Sequence, residues 1–220
     1  MEQIAKKAGL TSFHLKWIAI ITMLIDHIGA VLYPTELIFR YIGRLAFPIF
    51  CFLLVEGFCH TRDIYQYMVR MAIFALLSEI PYDLAFHGQL LEFGSQNVFF
   101  TLFLGIVAMY LLQKTVGWPG KAAEVLLVMW LAYFLRTDYS FEGILLIVTF
   151  YLLRERMWLK LLGGAAWNLL WLSKIQAYGA LAMLPLSLYN GERGKGMKYF
   201  FYFFYPAHLL ILFAISRYMK

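Results

Sequence analysis

The sequence predicts an all-α, polytopic transmembrane helix bundle of about nine spans, with its N-terminus in the cytoplasm. Three observations predict it. The 220 residues are 62% hydrophobic and only 15% charged, with a mean hydropathy of +0.69, where a soluble domain is normally about 45–50% apolar and about 25% charged. A soluble fold of this size cannot hide so much apolar surface, and disordered chains are polar and charge-rich instead. Apolar runs near spanning length then recur along the chain, without the alternation of a transmembrane barrel. Finally, thirteen of the nineteen Lys and Arg fall on one side of the resulting map, the asymmetry expected of cytoplasmic loops.

Cutting at charge clusters and at Pro and Gly breaks places the spans at 14–33, 38–59, 67–87, 97–113, 121–136, 140–153, 157–173, 176–190 and 198–218. Lys6 and Lys7 precede the first run like the start of a signal peptide. That run is long enough to span and no small-residue cleavage site follows it, so it reads as a retained helix. The sixth run is the shortest. Its fourteen residues rise about 21 Å, so it is tilted, re-entrant or longer than drawn. Lys6, Lys7 and Lys198 count on the cytoplasmic side. Arg40, Arg44, Arg136, Lys174, Arg217 and Lys220 lie on the other side. The C-terminal pair runs against the rule and keeps eight spans open.

Gly117-Trp118-Pro119-Gly120 reads as a turn, and Gly191 to Gly196 as a flexible basic loop. Neither repeats nor a loop long enough for a soluble domain occur, so residues 1–220 form a single membrane domain. The net charge of +6 reports topology here and implies no nucleic acid. Cys51 and Cys59, eight residues apart on one helix, are separated by about 12 Å of rise and can form neither a disulfide nor a zinc site. No metal is expected.

Charge inside a membrane is costly and usually functional, so the depth that polar residues share is informative. Asp26 and His27 lie toward the outer side of the first span. Arg40 and Arg44 open the second span from that side, Glu79 and Asp83 close the third with His87 beyond, and Asn97 opens the fourth. Arg136, Asp138 and Glu142 form an outer turn, and Lys174 and Gln176 open the eighth span. Arg40 and Arg44, four apart, share a helix face, as do Glu79 and Asp83. The two pairs are expected to neutralise each other across neighbouring helices. Asp26 and His27 differ by about 100° around their helix, so one faces the bundle and the other a neighbouring helix. Glu56 lies near the inner end of its span, within reach of interfacial water. His208 lies mid-span and needs a hydrogen-bond partner there. The aromatic run Tyr199–Tyr205 reads as lipid-facing or interfacial. Arg62, Arg154, Arg156, Lys160, Arg193, Lys195 and Lys198 sit in inner loops, where they set topology or receive a phosphorylated cytoplasmic donor.

At these residues the sequence resembles the TraX family of integral membrane proteins, named for the conjugative protein that N-acetylates F-type pilin. The matching stretches are Leu24-Ile25-Asp26-His27-Ile28-Gly29, Arg40-Tyr41-Ile42-Gly43-Arg44-Leu45-Ala46-Phe47-Pro48-Ile49-Phe50, Glu56-Gly57-Phe58 and Ser78-Glu79-Ile80-Pro81-Tyr82-Asp83. They continue with Asn97-Val98-Phe99-Phe100-Thr101, Asp138-Tyr139-Ser140-Phe141-Glu142-Gly143 and Phe204-Tyr205-Pro206-Ala207-His208. The family is distantly similar to the acyltransferase-3 membrane enzymes, which also place a histidine late in the first span. The resemblance implies acetyl or acyl transfer across a bacterial inner membrane, from acetyl-CoA or another acyl-CoA to a peptide, pilin or glycan acceptor.

Acyl transfer needs a base for the acceptor proton, donors for the oxyanion and a hold on the acyl donor. His27, tuned by Asp26, is the expected base. Arg44 is expected to stabilise negative charge through its fixed paired donors, and Glu79 or Asp83 to position a cationic acceptor. Arg40, Asn97, Asp138, Glu142 and His208 complete the expected acceptor site. Arg62, Arg154, Arg193 and Lys195 are expected to hold the nucleotide end of the donor. Competing readings are a small proton-coupled transporter using Asp26, Glu79 and Asp83, a haem electron carrier using His27, His87 or His208, and a purely structural accessory protein.

Overall fold

A computed structural model describes residues 8–219. Lys6, Lys7, Lys220 and the Lys198 side chain, all used in the charge map, lie outside the described residues. Every regular element among those described is helical: α1 (Ser12–Leu32), α2 (Leu37–Gly43), α3 (Ala46–His60), α4 (Ile64–Phe86), α5 (Val98–Lys114), α6 (Trp118–Phe134), α7 (Ser140–Leu152), α8 (Met157–Leu170), a 3₁₀ segment (Lys174–Ala182), α9 (Met183–Ser187) and α10 (Lys198–Tyr218). Three stretches are long and apolar enough to cross a membrane: Ser12–Leu32, Leu37–His60 and Tyr199–Tyr218. Val98–Lys114 and Ser140–Leu152 are apolar but shorter.

Two expected spans are interrupted. The second breaks at Arg44-Leu45 into α2 and α3. Pro48 explains this, because its ring would clash with the Arg44 carbonyl in a continuous helix. In the first turn of α3 its missing N–H costs nothing. The eighth run begins as nine residues of 3₁₀ helix and turns α-helical at Met183. Pro185 sits at the third position of α9, the same device. The turn expected at 117–120 is shorter than drawn. Gly117, with φ of 87°, makes the turn, and α6 already starts at Trp118 with Pro119 in its first turn.

The core lies between α1, α3, α5 and α7, around Leu15, Ile49, Phe52, Ile106, Ile144, Ile147 and Phe150. Gly105 lets α5 approach α7 until a β-carbon there would overlap Ile147, the small-residue contact that lets membrane helices associate closely. α6 is peripheral, with only Val128 and Ala132 buried. Leu76, Leu126, Trp130, Leu169, Leu184 and Ile211 face outward and exposed.

Contacts define the two ends of the bundle. At the near end, where α1 begins, Ser12 and Phe13 N–H donate to the Glu192 and Arg193 carbonyls at 2.8 and 3.1 Å. This gives the glycine loop the job of capping α1. At the far end, Gln96 N–H donates to Arg136 O and Asp138 N–H to Gln96 O, both at 2.9 Å, tying the loop before α5 to the loop before α7. The aromatic run that opens α10 is only partly outward. Tyr199 and Phe203 are exposed, but Tyr202 stacks on Phe74 of α4 at 4.7 Å, Phe201 meets Phe13 and Trp17, and Tyr205 is buried.

Candidate functional site

Asp26 is buried in α1 and is the hub of a charge cluster. Arg40 Nη1 donates to its Oδ2 at 2.5 Å and Arg44 Nη2 to its Oδ1 at 2.7 Å. One carboxylate thus takes two guanidinium groups, and the four-residue spacing that puts both arginines on one side of α2 makes this possible. Gly43 sits between them because a β-carbon there would overlap the Asp26 carboxyl. The expected pairing of these arginines with Glu79 and Asp83 is therefore not what the structure holds. Arg44 keeps a buried Nε with no partner in the protein.

The expected tuning of His27 by Asp26 is also replaced. Asp26 turns to α2, and His27 turns to α10. His27 Nδ1 lies 2.6 Å from His208 Nε2, with the rings 5.0 Å apart and 3° from parallel. His208 Nδ1 lies 2.7 Å from the Phe204 carbonyl, which only accepts, so that nitrogen carries the proton. In neutral rings the rest follows from the hydrogen-bond network. His208 Nε2 accepts, His27 Nδ1–H donates, and His27 Nε2 is left as a bare lone pair. The direct contact also bears on the haem reading. Two nitrogens bound about 2.0–2.1 Å away on opposite sides of one metal stand about 4 Å apart, so the 2.6 Å contact leaves no room for an ion between these rings.

A small cavity of about 30 Å³ opens beside His27, lined by Asp26, Gly43, Phe47, Asp138, Tyr139 and Tyr205 among others. Tyr139 stacks on Phe47 with ring centroids 3.5 Å apart. Its backbone N–H donates to Thr101 Oγ1 at 3.3 Å, so the short loop between α6 and α7 is pinned over the cavity. Asp138 in that loop has an exposed surface, yet its carboxyl is surrounded by protein atoms. Lost hydration raises its pKa to about 6 against the pull of Arg44, and the Asp26 charge adds to the rise. Water at its exposed face works against that shift.

Of the expected site residues, Asp26, His27 and Asp138 line the cavity, while Arg40 and Arg44 join it through Asp26 and His208 through His27. Glu79, Asp83, Asn97 and Glu142 do not line the cavity. Asn97 is fully buried and caps α5, accepting from Phe99 N–H at 3.0 Å, while its amide donates to Ala75 O and to Glu79. Asp83 accepts from Glu92 N–H at 2.8 Å, and Glu142 from Leu172 N–H at 3.3 Å. Arg62, Arg154, Arg193 and Lys195 are exposed in near-end loops. Lys160 is not. It is buried in α8, 3.4 Å from Glu56, with its ammonium over the Phe52 ring. Tyr189 OH donates to the other Glu56 oxygen at 3.3 Å and meets Ser12 Oγ at 3.0 Å. Glu56 thus has protein partners as well as access to water. No local sequence signal separates Lys160 from its loop neighbours, though its place in the first turn of α8 is compatible with an inward face. Tyr139, which no charge pattern picks out, was also missed as part of the cavity wall.

The family pattern described as "TraX protein" matches residues 12–216. The chain is 28% identical over 248 aligned residues to "Probable fimbrial assembly protein FimC, serogroup H1" of Dichelobacter nodosus, covering 99% of this chain and 100% of the relative. It is 28% identical over 181 residues to an uncharacterized protein of Rickettsia prowazekii (strain Madrid E), covering 80% of this chain and 68% of that one. No solved structure matches.

Proposed function

The chain belongs to the TraX family, and from that premise we propose that it is a membrane-bound acyltransferase of the bacterial inner membrane. It carries an acyl group, of acetyl size, from a cytoplasmic thioester donor to an amine or hydroxyl at the outer face. The fimbrial name of the Dichelobacter relative favours a peptide or pilin N-terminus as the acceptor. The observation that carries this reading is the Phe204–His208–His27 chain. It supplies an oriented imidazole with its Nε2 free, beside a cavity whose wall includes Asp26, the carboxylate that holds both guanidinium groups.

In this reading His27 Nε2 accepts the proton of the acceptor as its nitrogen or oxygen attacks the thioester carbonyl. His208 holds the ring in the needed tautomer and stabilises the imidazolium that forms, the role an orienting group plays beside any histidine base. Arg44, with Nε still unpartnered, offers a donor to the negative oxygen of the tetrahedral intermediate. Collapse breaks the C–S bond and expels the donor's thiolate, which takes the proton from His27 and leaves as the free thiol. The exposed near-end Arg62, Arg154, Arg193 and Lys195 would attract the phosphates of an acyl-CoA.

The test is transfer of radiolabelled acetyl from acetyl-CoA to a peptide amine by the purified protein. His27→Ala should abolish transfer. Loss of general acid–base help costs about 10²–10⁴-fold, so His208→Phe should fall in that range while the protein stays folded. Wild type that transfers no label, or normal turnover in His27→Ala, refutes the reading. We place the chain in nine crossings with the near end cytoplasmic. Reporters at 92 and 138 should read outside and those at 118 and 194 inside, and the reverse pattern overturns the map.

A further inference from the structure

Beyond the cavity, the far end holds a second cluster that the acyl-transfer reading leaves unused. α4 ends at Phe86, and the chain returns toward α5 through residues 87–97. Asp83 and His87 are one helical turn apart, which places both on the same face of that helix end. Glu92 sits opposite them on the returning loop. One ligand atom from each of Asp83, His87 and Glu92 lies within 4.8 Å of the other two, and His87 Nε2 is 3.8 Å from Glu92 Oε2.

Two features separate this from an ordinary acidic helix end. Asp83 is 0% exposed, and its Oδ1 is buried with no hydrogen-bond partner. A buried carboxylate oxygen normally has a partner, and each exception asks for an explanation such as an ion or a water. The loop is also shaped to present Glu92. Gly94 N–H and Ser95 N–H donate to its two oxygens at 2.7 and 3.1 Å, and its own N–H holds Asp83 Oδ2 at 2.8 Å. Ser95 Oγ lies 3.1 Å from His87 Nε2.

We propose that Asp83, His87 and Glu92 bind one divalent transition-metal ion of the zinc type. Two carboxylates and one imidazole match the mixed oxygen and nitrogen preference of zinc, and their charges balance a dication. Metal–ligand bonds run about 2.0–2.2 Å, so the ligand atoms must draw closer than they stand now. Glu92 supplies that movement, since it rides on a loop while Asp83 and His87 are fixed by α4. The ion gives Asp83 Oδ1 the partner it lacks and fastens the loop to the end of α4. A fourth position is open to water or to the Ser95 hydroxyl.

The test uses the full chain, purified in detergent, stripped with chelator and titrated with Zn²⁺ alone. Saturable binding of one ion per chain at micromolar concentration is expected, together with protection of the 88–96 loop from protease. His87→Ala and Glu92→Gln change exposed or half-exposed side chains and leave the fold intact. Each should weaken binding by at least tenfold, the scale at which even supporting groups of metal sites act, and remove the protection. Asp83→Asn keeps the acceptor for Glu92 N–H and should weaken binding likewise. The absence of saturable binding, or binding unchanged in His87→Ala but lost in His27→Ala, overturns the site. None of these outcomes depends on acyl transfer, so the two proposals fail separately.

Discussion

Asp26→Ala removes the one carboxylate that both α2 arginines share. Its magnitude can be worked from the contacts. Charge-assisted hydrogen bonds contribute about 1.5–3 kcal/mol each, and Asp26 receives one from each arginine at 2.5 and 2.7 Å. Breaking a buried pair costs about 3–5 kcal/mol, because the abandoned charge stays buried. The side chains of Arg40 and Arg44 are 29% and 14% exposed, against 7% for Asp26. Water therefore recovers part of the loss, and about 3 kcal/mol is the expected cost. For a chain of this length that corresponds to a fall of roughly 6–12 °C in midpoint. The exposure difference also sets an order. Asp26→Ala should cost most, Arg44→Ala less, and Arg40→Ala least, near the ~1 kcal/mol of a surface pair. Thermal unfolding in detergent, followed by intrinsic fluorescence, measures all three. A double-mutant cycle between Asp26 and Arg44 should show coupling above about 0.5 kcal/mol, and one between Glu79 and Arg44 almost none. An Asp26→Ala protein within a degree of wild type, or Arg44 coupled to Glu79 instead, would refute the hub.

Two further outcomes follow from other contacts. Lys160→Ala should destabilise more than the double variant Lys160→Met with Glu56→Gln, since only the single change leaves a charge without its partner; equal melting temperatures would show that the Glu56–Lys160 pair is not structural. Asp138 has a raised folded pKa of about 6 against an ordinary 3.8, so the folded state holds its proton more tightly than the unfolded chain does. That contribution is complete below about pH 4 and is lost as pH rises toward 6. Asp138→Asn should flatten that slope in a thermal-stability series, and an unchanged slope would assign it elsewhere.

The residues differ in how far the sequence exposed their roles. Membrane character and helicity were readable because lipid leaves few options for 62% hydrophobic sequence. The shared depth of Asp26, His27, Arg40, Arg44 and Asp138 was readable because depth follows from counting along spans, and the mid-span place of His208 showed that it needed a partner but not that His27 would be it. Which partner each side chain takes was not readable. Asp26 and His27 point to different helices because of their angular offset, but only the packing of α2 and α10 around α1 decides that Asp26 meets the arginines and His27 meets His208. The Glu79–Asn97 contact depends on a loop return that no periodicity encodes. Lys160 carried the same loop signature as Arg154 and Arg156, and only the approach of α8 to α3 buries it beside Glu56. The break at Arg44-Leu45 was passed over in the continuous 38–59 run, because hydropathy alone does not register Pro48, whose ring forbids a continuous helix there.

The stretch from Lys174 to Ser187 has a consequence for anyone handling this protein. Nine residues at about 2.0 Å each and five at about 1.5 Å advance the chain by about 25 Å, where fourteen α-helical residues give about 21 Å. It starts beside Leu172, bonded to Glu142, and delivers the chain to Tyr189, which touches Glu56 and Ser12 at the opposite end. A hydropathy window of about nineteen residues is calibrated to a slower climb and passes over such a segment. In the nine-crossing arrangement proposed above, missing this traverse inverts everything after it. An affinity tag, an epitope or a fluorescent fusion attached after Tyr218 would then be assigned to the wrong compartment, and an accessible label would be mistaken for a broken cell.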